Sequence, residues 1–326
     1  MDRNLIIIVS YNSQDFIRRC LESVVSQSFG RWHMAVIDNN SSDGTVRKVR
    51  DFRNSNTKIS PENFSFLRLK KNLGYSGAIN YFVFKRLEGR HHDFSRIIFL
   101  NPDMYLKEDA LENLLMPLGQ NKRIGACGGL VLDYDSDTIQ HLGGLISPNF
   151  ITSHIGKGKN YDELKEEYKH KPDNILEAVR DVDYVTGAML ATDFSLFKKI
   201  GGFDTGYRPA YYEELDYCLK LKAAGYRVVV NPLSMSRHAE ASSSRKFSRQ
   251  FYKLYHKNRI RCAIINSKVS HYFKLLLEEI NWARKEATRD QYVPLAYSYM
   301  LNFIFAPLNL GKKLKNYLIL NRLQLK

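Results

Sequence analysis

Three carboxylates fall within four positions in Tyr212-Glu213-Glu214-Leu215-Asp216, where a helix over 212–224 is expected to begin. A helix N-terminus favours anions by about 0.3–1 kcal/mol each, which is one reason for acids there. Crowded carboxylates beside apolar neighbours also raise one pKa and yield a general base, which is another. Asp103 ends Asn101-Pro102-Asp103, directly after the apolar run Ile97–Leu100. A carboxylate at the end of a buried strand suits a hard divalent cation, whose shell is completed by water and diphosphate oxygens. An ordinary Pro-Asp turn reads the same way. Asp38 closes a second run, Met34–Ile37, ahead of Asn39-Asn40-Ser41-Ser42-Asp43-Gly44. It is either an Asx turn or an acceptor for a nucleobase N–H. Ser10-Tyr11-Asn12 follows Leu5–Val9, as a helix cap or as a ligand contact. In the loop from Asn72 to Asn80, Gly74 and Gly77 let a flat ligand approach the backbone. This loop carries neither the Gly-Lys-Ser/Thr ending of a P-loop nor G-x-G-x-x-G. His238 follows a short strand, Arg227–Val230, as a structural or a ligating histidine.

The elements that must position these groups are legible from periodicity. Strands are expected over Leu5–Val9, Met34–Ile37, Phe64–Leu69 and Arg96–Leu100, with helices over Asp15–Gln27 and Ser76–Leu87. Strand–helix alternation of this kind predicts an α/β fold with a mainly parallel sheet, and such sheets bind ligands beyond the carboxyl ends of their strands. The four polar loops at Ser10–Asn12, Asp38–Asp43, Asn72–Gly74 and Asn101–Asp103 then converge on one crevice. The stretch Leu130–Asp181 is less regular, and the α/β pattern resumes at Tyr184–Met189.

Taken in order, these motifs, with Gly201-Gly202-Phe203-Asp204 and Glu213-Glu214-Leu215-Asp216, resemble glycosyltransferase family 2. The likeness covers about residues 4–245. It implies the GT-A fold, a mixed, mainly parallel Rossmann-like sheet, and inverting transfer from a nucleoside-diphosphate sugar. The Asn-Pro-Asp form is most similar to the bacterial rhamnosyltransferase-like branch, which builds surface polysaccharides. On this resemblance Ser10, Tyr11, Asn12 and Asp38 hold the nucleoside, and Asn72, Gly74, Asn80 and Asn101 complete the nucleotide-sugar site. Asp103 and His238 bind Mg2+ or Mn2+, and Glu214 is the catalytic base. Gly187, Ala188, Glu213 and Asp216 face the acceptor, a glycan or a lipid-linked sugar. Two positions depart from the family pattern: Asn101 replaces the first Asp of D-x-D, and Glu214 stands where the family carries Asp. The domains expected are a GT-A domain over 1–245, with a nucleotide half to about 103 and an acceptor half beyond, and a helical tail over 246–326.

Composition locates the excess charge. The 326 residues carry 49 Lys+Arg against 34 Asp+Glu, a formal +15. From Lys246 onward there are 16 basic and 4 acidic residues, so the tail holds +12 and the body only +3. That distribution disfavours a nucleic-acid-binding domain and suits a basic tail at an anionic membrane surface. Within the tail, Gln291–Gly311 is uncharged and apolar, either packed on the body, lying at a membrane interface, or spanning it. Four cysteines without a C-x-x-C pair, and an N-terminal apolar run too short for a signal peptide, point to the cytoplasm, at the cytoplasmic face of the membrane. A homo-oligomer stays open. A sugar-1-phosphate nucleotidyltransferase would show a Gly-rich, basic loop after the first strand, where Ser10-Tyr11-Asn12 stands. A non-catalytic binding protein of this fold would have lost Asp103, Glu214 or His238.

Overall fold

The structure is a computed structural model that describes residues 3–89, 94–165, 177–239, 249–286 and 307–323. Of the uncharged stretch 291–311, residues 291–306 lie outside the described residues. The first strand shows why the sheet is buried. In β1 (Arg3–Ser10), Leu5, Ile7 and Val9 pack on one face while Ile6 and Ile8 pack on the other. Side chains alternate along a strand, so an unbroken apolar run requires cover on both sides. One face is covered by α1 (Ile17–Val25), α2 (Thr45–Ser55) and α4 (Ala110–Gln120). The other is covered by α3 (Tyr75–Tyr81, continued by a widened turn over 82–86), α6 (Phe194–Ile200) and α7 (Glu213–Ala223).

The ten-stranded sheet uses β2 (Trp32–Asp38), β3 (Phe64–Arg68), β4 (Phe94–Leu100), β5 (Met104–Leu106), β6 (Ile124–Asp133), β7 (Ile139–His141), β10 (Arg180–Asp181), β11 (Met189–Asp193) and β12 (Arg227–His238). Its order is β10-β12-β6-β11-β4-β1-β2-β3, with β5 on β12 and β7 on β6. The β4-β1-β2-β3 half is parallel, and β11 enters antiparallel between β4 and β6. A hairpin of β8 (Gly144–Ile146) and β9 (Thr152–His154) and a short α5 (Asp162–Lys165) lie apart from it.

The β1–β4 and α7 regions match the elements expected from periodicity. A ten-residue strand, β6, which is not among the expected elements, runs into the start of the stretch that reads as irregular, at 130–133. Its glycines answer close packing: a Cβ on Gly128 would lie 2.6 Å from Val185 Cβ, and one on Gly129 would lie 2.3 Å from the Ser234 carbonyl oxygen. All four cysteines are buried and free.

The tail forms α8 (Arg249–Asn266), α9 (Tyr272–Glu286) and α10 (Pro307–Leu323). Helix α8 joins the body, with Cys262 in the same apolar cluster as α6 and α7. The buried guanidinium of Arg259 grips Glu279 of α9 through two hydrogen bonds of 2.5 and 2.6 Å and donates to the Asn149 carbonyl at 2.7 Å. Such a pair is costly to bury and costlier to break singly, so it fixes how α9 meets α8. No helix among the described residues is long and apolar enough to cross a membrane.

Candidate active site

Sheet pairing makes the first contact of the site. Asp103 immediately precedes β5, and β5 runs antiparallel to β12 with His238 opposite Met104. Residues 135 apart in sequence are thereby brought to hydrogen-bond distance, Asp103 Oδ1 lying 3.1 Å from His238 Nε2. The other imidazole nitrogen, Nδ1, lies 3.0 Å from Gln140 Oε1, and Gln140 Nε2 donates to the His238 carbonyl at 3.0 Å. That second bond fixes which way the Gln140 amide points, so Oε1 receives a proton from Nδ1. In a neutral imidazole the Nε2 lone pair then faces the Asp103 carboxylate, an arrangement that calls for a proton or a cation between them. The pair therefore fits a hard or borderline divalent ion with one oxygen and one nitrogen donor.

Both residues line a crevice of about 310 Å3 together with Asn101, Gly187, Ala188, Glu213 and Glu214. Its floor owes its shape to an unusual entry into α7. Tyr211 and Tyr212 both have positive φ, 80° and 77°. Such conformations cost on the order of 1–3 kcal/mol each and persist where surrounding bonds enforce them. Here Asn258 Nδ2 of α8 lies 2.8–3.0 Å from the carbonyl oxygens of Tyr207, Ala210 and Tyr211. Tyr212 hydroxyl donates to the Phe150 carbonyl at 2.8 Å. The chain is thus turned so that Glu213 and Glu214 open α7 at the crevice.

The two acids are not equivalent. Glu213 is 3% exposed, and its Oε2 has no hydrogen-bond partner among the described residues. Burial, and then the charge of Glu214, push its carboxyl well above the usual range. Burial also raises Glu214, but its own backbone N–H and that of Gly187 donate to the carboxylate and oppose the rise. Glu213 is thus pushed further from the ordinary carboxylate range than Glu214, whose rise those N–H groups oppose. Gly187 lies directly against Glu214: a Cβ there would sit 3.6 Å from Glu214 Cβ, in ordinary contact. Phenols surround the pair. Tyr75 hydroxyl donates to the Gly187 carbonyl at 2.8 Å. Burial and the Glu214 charge hold the Tyr75 and Tyr184 phenols above their ordinary pKa.

The nucleoside-side residues gather separately, at the carboxyl ends of β1, β2 and β3. Asn39 N–H donates to the Ser10 carbonyl at 2.8 Å, and Asn12, at φ 50°, accepts from Ser42 N–H at 2.9 Å. Asn72 Oδ1 accepts from Asn39 Nδ2 and from Gly74 N–H, at 2.9 and 2.8 Å. Asp38 is fully buried. Its Oδ2 accepts from Ser41 N–H at 3.1 Å, while Oδ1 has no partner among the described residues. A buried carboxylate oxygen without a partner is uncommon and marks the position as one to test. Tyr11 stands half exposed beside it.

Three expected residues have other work. Asn80 does not line the crevice; its amide donates to the Phe203 carbonyl at 2.7 Å and accepts from Phe203 N–H at 3.1 Å. Asp216 is not on the acceptor side. It is fully buried one turn into α7, where it pairs with Lys220 and accepts from Tyr207 hydroxyl at 3.2 Å and Asn266 Nδ2 at 2.9 Å. Gly74 serves packing, since a Cβ on it would meet the Pro209 carbonyl oxygen at 2.9 Å. Conversely, sequence reasoning overlooked Tyr75, Tyr184, Tyr211, Phe251, Tyr255, Thr152 and His154, all of which line the crevice. Phe251 and Tyr255 lie four residues apart at the start of the tail helix, and that i, i+4 aromatic pair was the available signal.

The sheet order, with one antiparallel strand inserted beside a parallel nucleotide-binding half, is that of a GT-A glycosyltransferase. Residues 5–200 match the model of the glycosyl transferase family 2, and the chain belongs to that family. It is 26% identical over 260 residues to the rhamnosyltransferase WbbL of Escherichia coli, covering 78% of this chain and 90% of that one. An N-acetylglucosaminyl-diphospho-decaprenol L-rhamnosyltransferase of Mycobacterium tuberculosis is 24% identical, covering 78% and 81%. In fold the chain is similar to a mannosyltransferase of Pyrobaculum calidifontis crystallised with GDP-Man and Mn2+. That likeness has a TM-score of 0.52 at 16% identity and covers 96% of this chain and 73% of that one.

Proposed function

We propose that this glycosyltransferase moves a hexose, rhamnose or a related sugar, from a thymidine or uridine diphosphate donor to a hydroxyl of a glycan or lipid-linked acceptor. The product belongs to a bacterial surface polysaccharide. The observation that carries this reading is the placement of Glu213 and Glu214 in the same crevice as Asp103 and His238. The rhamnosyl assignment draws on the names of the two relatives.

Glu214 accepts the proton of the acceptor hydroxyl as that oxygen bonds to the anomeric carbon. The bond from the anomeric carbon to the phosphate oxygen breaks, and the nucleoside diphosphate leaves with the electron pair. Attack opposite the leaving group inverts the centre in one displacement, so no second nucleophilic carboxylate is required. Asp103 and His238 would hold Mg2+ or Mn2+, which would offset the charge gathering on the diphosphate. Asp38 and Tyr11 engage the base. A panel of nucleotide sugars, scored by thermal shift with Mg2+ or Mn2+ present, tests the reading, because a bound ligand raises stability with its occupancy. A shift confined to thymidine or uridine diphosphate sugars supports it. A chain that responds to none of them, and transfers no sugar, does not perform this reaction.

A further inference from the structure

Helix α10 turns polar residues inward and apolar ones outward along much of its length. On its body-facing side Asn309 and Asn316 are buried and Lys312 Nζ lies 3.7 Å from Asp204 Oδ1, while Leu323, near its end, packs on the apolar core. Lys313 Nζ donates to the Ile264 carbonyl at 3.0 Å, to the Ser267 carbonyl, and to the Tyr272 hydroxyl at 2.9 Å. Its outward side is apolar. Leu310, Leu314, Tyr317 and Leu318 form one stripe at i, i+4, i+7 and i+8, each more than half exposed. A helix on a water-facing surface has these sides exchanged. Next to this stripe, Val269, Phe273 and Leu277 are exposed on the turn Val269–His271 and the start of α9, Phe273 by 71%. These seven are most of the ten large apolar side chains exposed among the described residues.

The exposed Lys and Arg residues of α9, α10 and the turn ahead of α9 are Lys268, Lys274, Arg284, Lys285, Lys315 and Arg322. Among the described side chains of α9 and α10 no acid is exposed. Phe273 and Leu310 also line an apolar cavity of about 330 Å3 between α8, α9 and α10, with Ile260, Ala263, Ile264 and Leu276.

We propose that this face seats on an anionic lipid bilayer. The α10 stripe and Phe273 enter the boundary between headgroups and acyl chains, and the basic rim meets lipid phosphates. A second copy of the chain fits less well, because it would bring two all-basic rims together. The sequence directs attention to the uncharged stretch 291–311; the docking face lies on the helices that flank it. Helix α8 links this face to the chemistry. It carries Phe251 and Tyr255 at the crevice and Arg259 to Ile264 at the cavity, about 6–20 Å apart along its axis at 1.5 Å per residue. A lipid-linked acceptor could keep its chain in the bilayer while its head enters the crevice. This last step rests on the proposed acceptor; the docking itself does not.

Co-sedimentation of the full chain with vesicles of phosphatidylcholine, or of phosphatidylcholine and phosphatidylglycerol at 3:1, is the test. The chain is expected to sediment with the anionic vesicles only. The triple variant Leu310→Gln, Leu314→Gln, Leu318→Gln is expected to partition about tenfold more weakly or worse, with unchanged melting and unchanged thermal shift by nucleotide. Should that variant melt early, the exposed pair Lys315→Glu, Arg322→Glu carries the same readout. The proposal is overturned if the wild-type chain ignores anionic vesicles, or if folded variants bind them as the wild type does. It is equally overturned if ultracentrifugation shows a dimer that the leucine variants split, since the face would then belong to a second copy. Thermal shift by nucleotide reports the transfer reading separately.

Discussion

The two walls of the candidate site are built by opposite means. On the expected nucleoside side, Ser10, Asn12, Asp38 and Asn72 are short polar residues at strand ends, each tied by a hydrogen bond to the loop over 39–42. On the expected acceptor side, Tyr75, Tyr184, Tyr211, Phe251 and Tyr255 come from distant segments and line the crevice with Glu213, which is buried, and Glu214, which is half-buried. The first wall is a local polar cluster in which Asp38 Oδ1 has no partner among the described residues. The second is an aromatic-lined crevice in which burial raises the pKa of both acids. The two walls share no residues.

Substitutions on each wall should separate in kind as well as size. Glu214→Gln should lower kcat by about a thousandfold with nucleotide-sugar thermal shift retained. In the wild type the acid limb of the rate profile should lie above the ordinary Glu range, because burial raises Glu214 and activity is lost as pH falls through that raised value. Wild-type turnover in Glu214→Gln would erase the distinction between the walls. Asp103→Asn or His238→Ala should cost about a hundredfold, and excess EDTA should bring the unsubstituted enzyme to the same level. Transfer undiminished by chelator would remove both from the metal role. Asp38→Ala should raise the donor KM about tenfold with little change in kcat, the loss of one buried charged acceptor. Phe251→Ala should raise the acceptor KM only a few-fold and leave the donor KM alone; an effect on donor binding would show that the walls are not independent. The smallest effect should be that of Glu213→Gln. The folded-state pKa of Glu213 is raised, so the wild type loses stability as pH climbs through that value. The variant should melt with the wild type near about pH 4 and above it near about pH 8.

The nucleoside wall was legible because its residues sit where apolar runs stop, and a run's end is a local event in sequence. Asp38 and Asp103 could be named for that reason, whereas Glu214 stands at a helix start and was named from the resemblance. The acceptor wall was not legible, because no pattern within a window of ten residues connects Tyr75 to Tyr184 or to Tyr255. Asn80 and Asp216 show the converse: they share segments with site residues, yet their polar atoms brace Phe203, Lys220 and Asn266. Strand β6 was not among the elements expected from periodicity; glycines interrupt its apolar run, and Gly128 and Gly129 are demanded by the close approach of Val185 and Ser234. The basic tail was visible as charge, but that its first helix walls the crevice was not.

The three carbonyls held by Asn258 carry a consequence for the birth of the enzyme. The turn that aims Glu214 is fixed by an amide that leaves the ribosome more than forty residues after the glutamate does. A nascent chain that has completed its sheet still lacks the group that enforces the Tyr211–Tyr212 conformation. Glu214, the proposed base, is therefore expected to come into register only when α8 docks. Transfer competence would then arrive late and abruptly in synthesis, together with the helix that leads toward the lipid-facing end of the molecule.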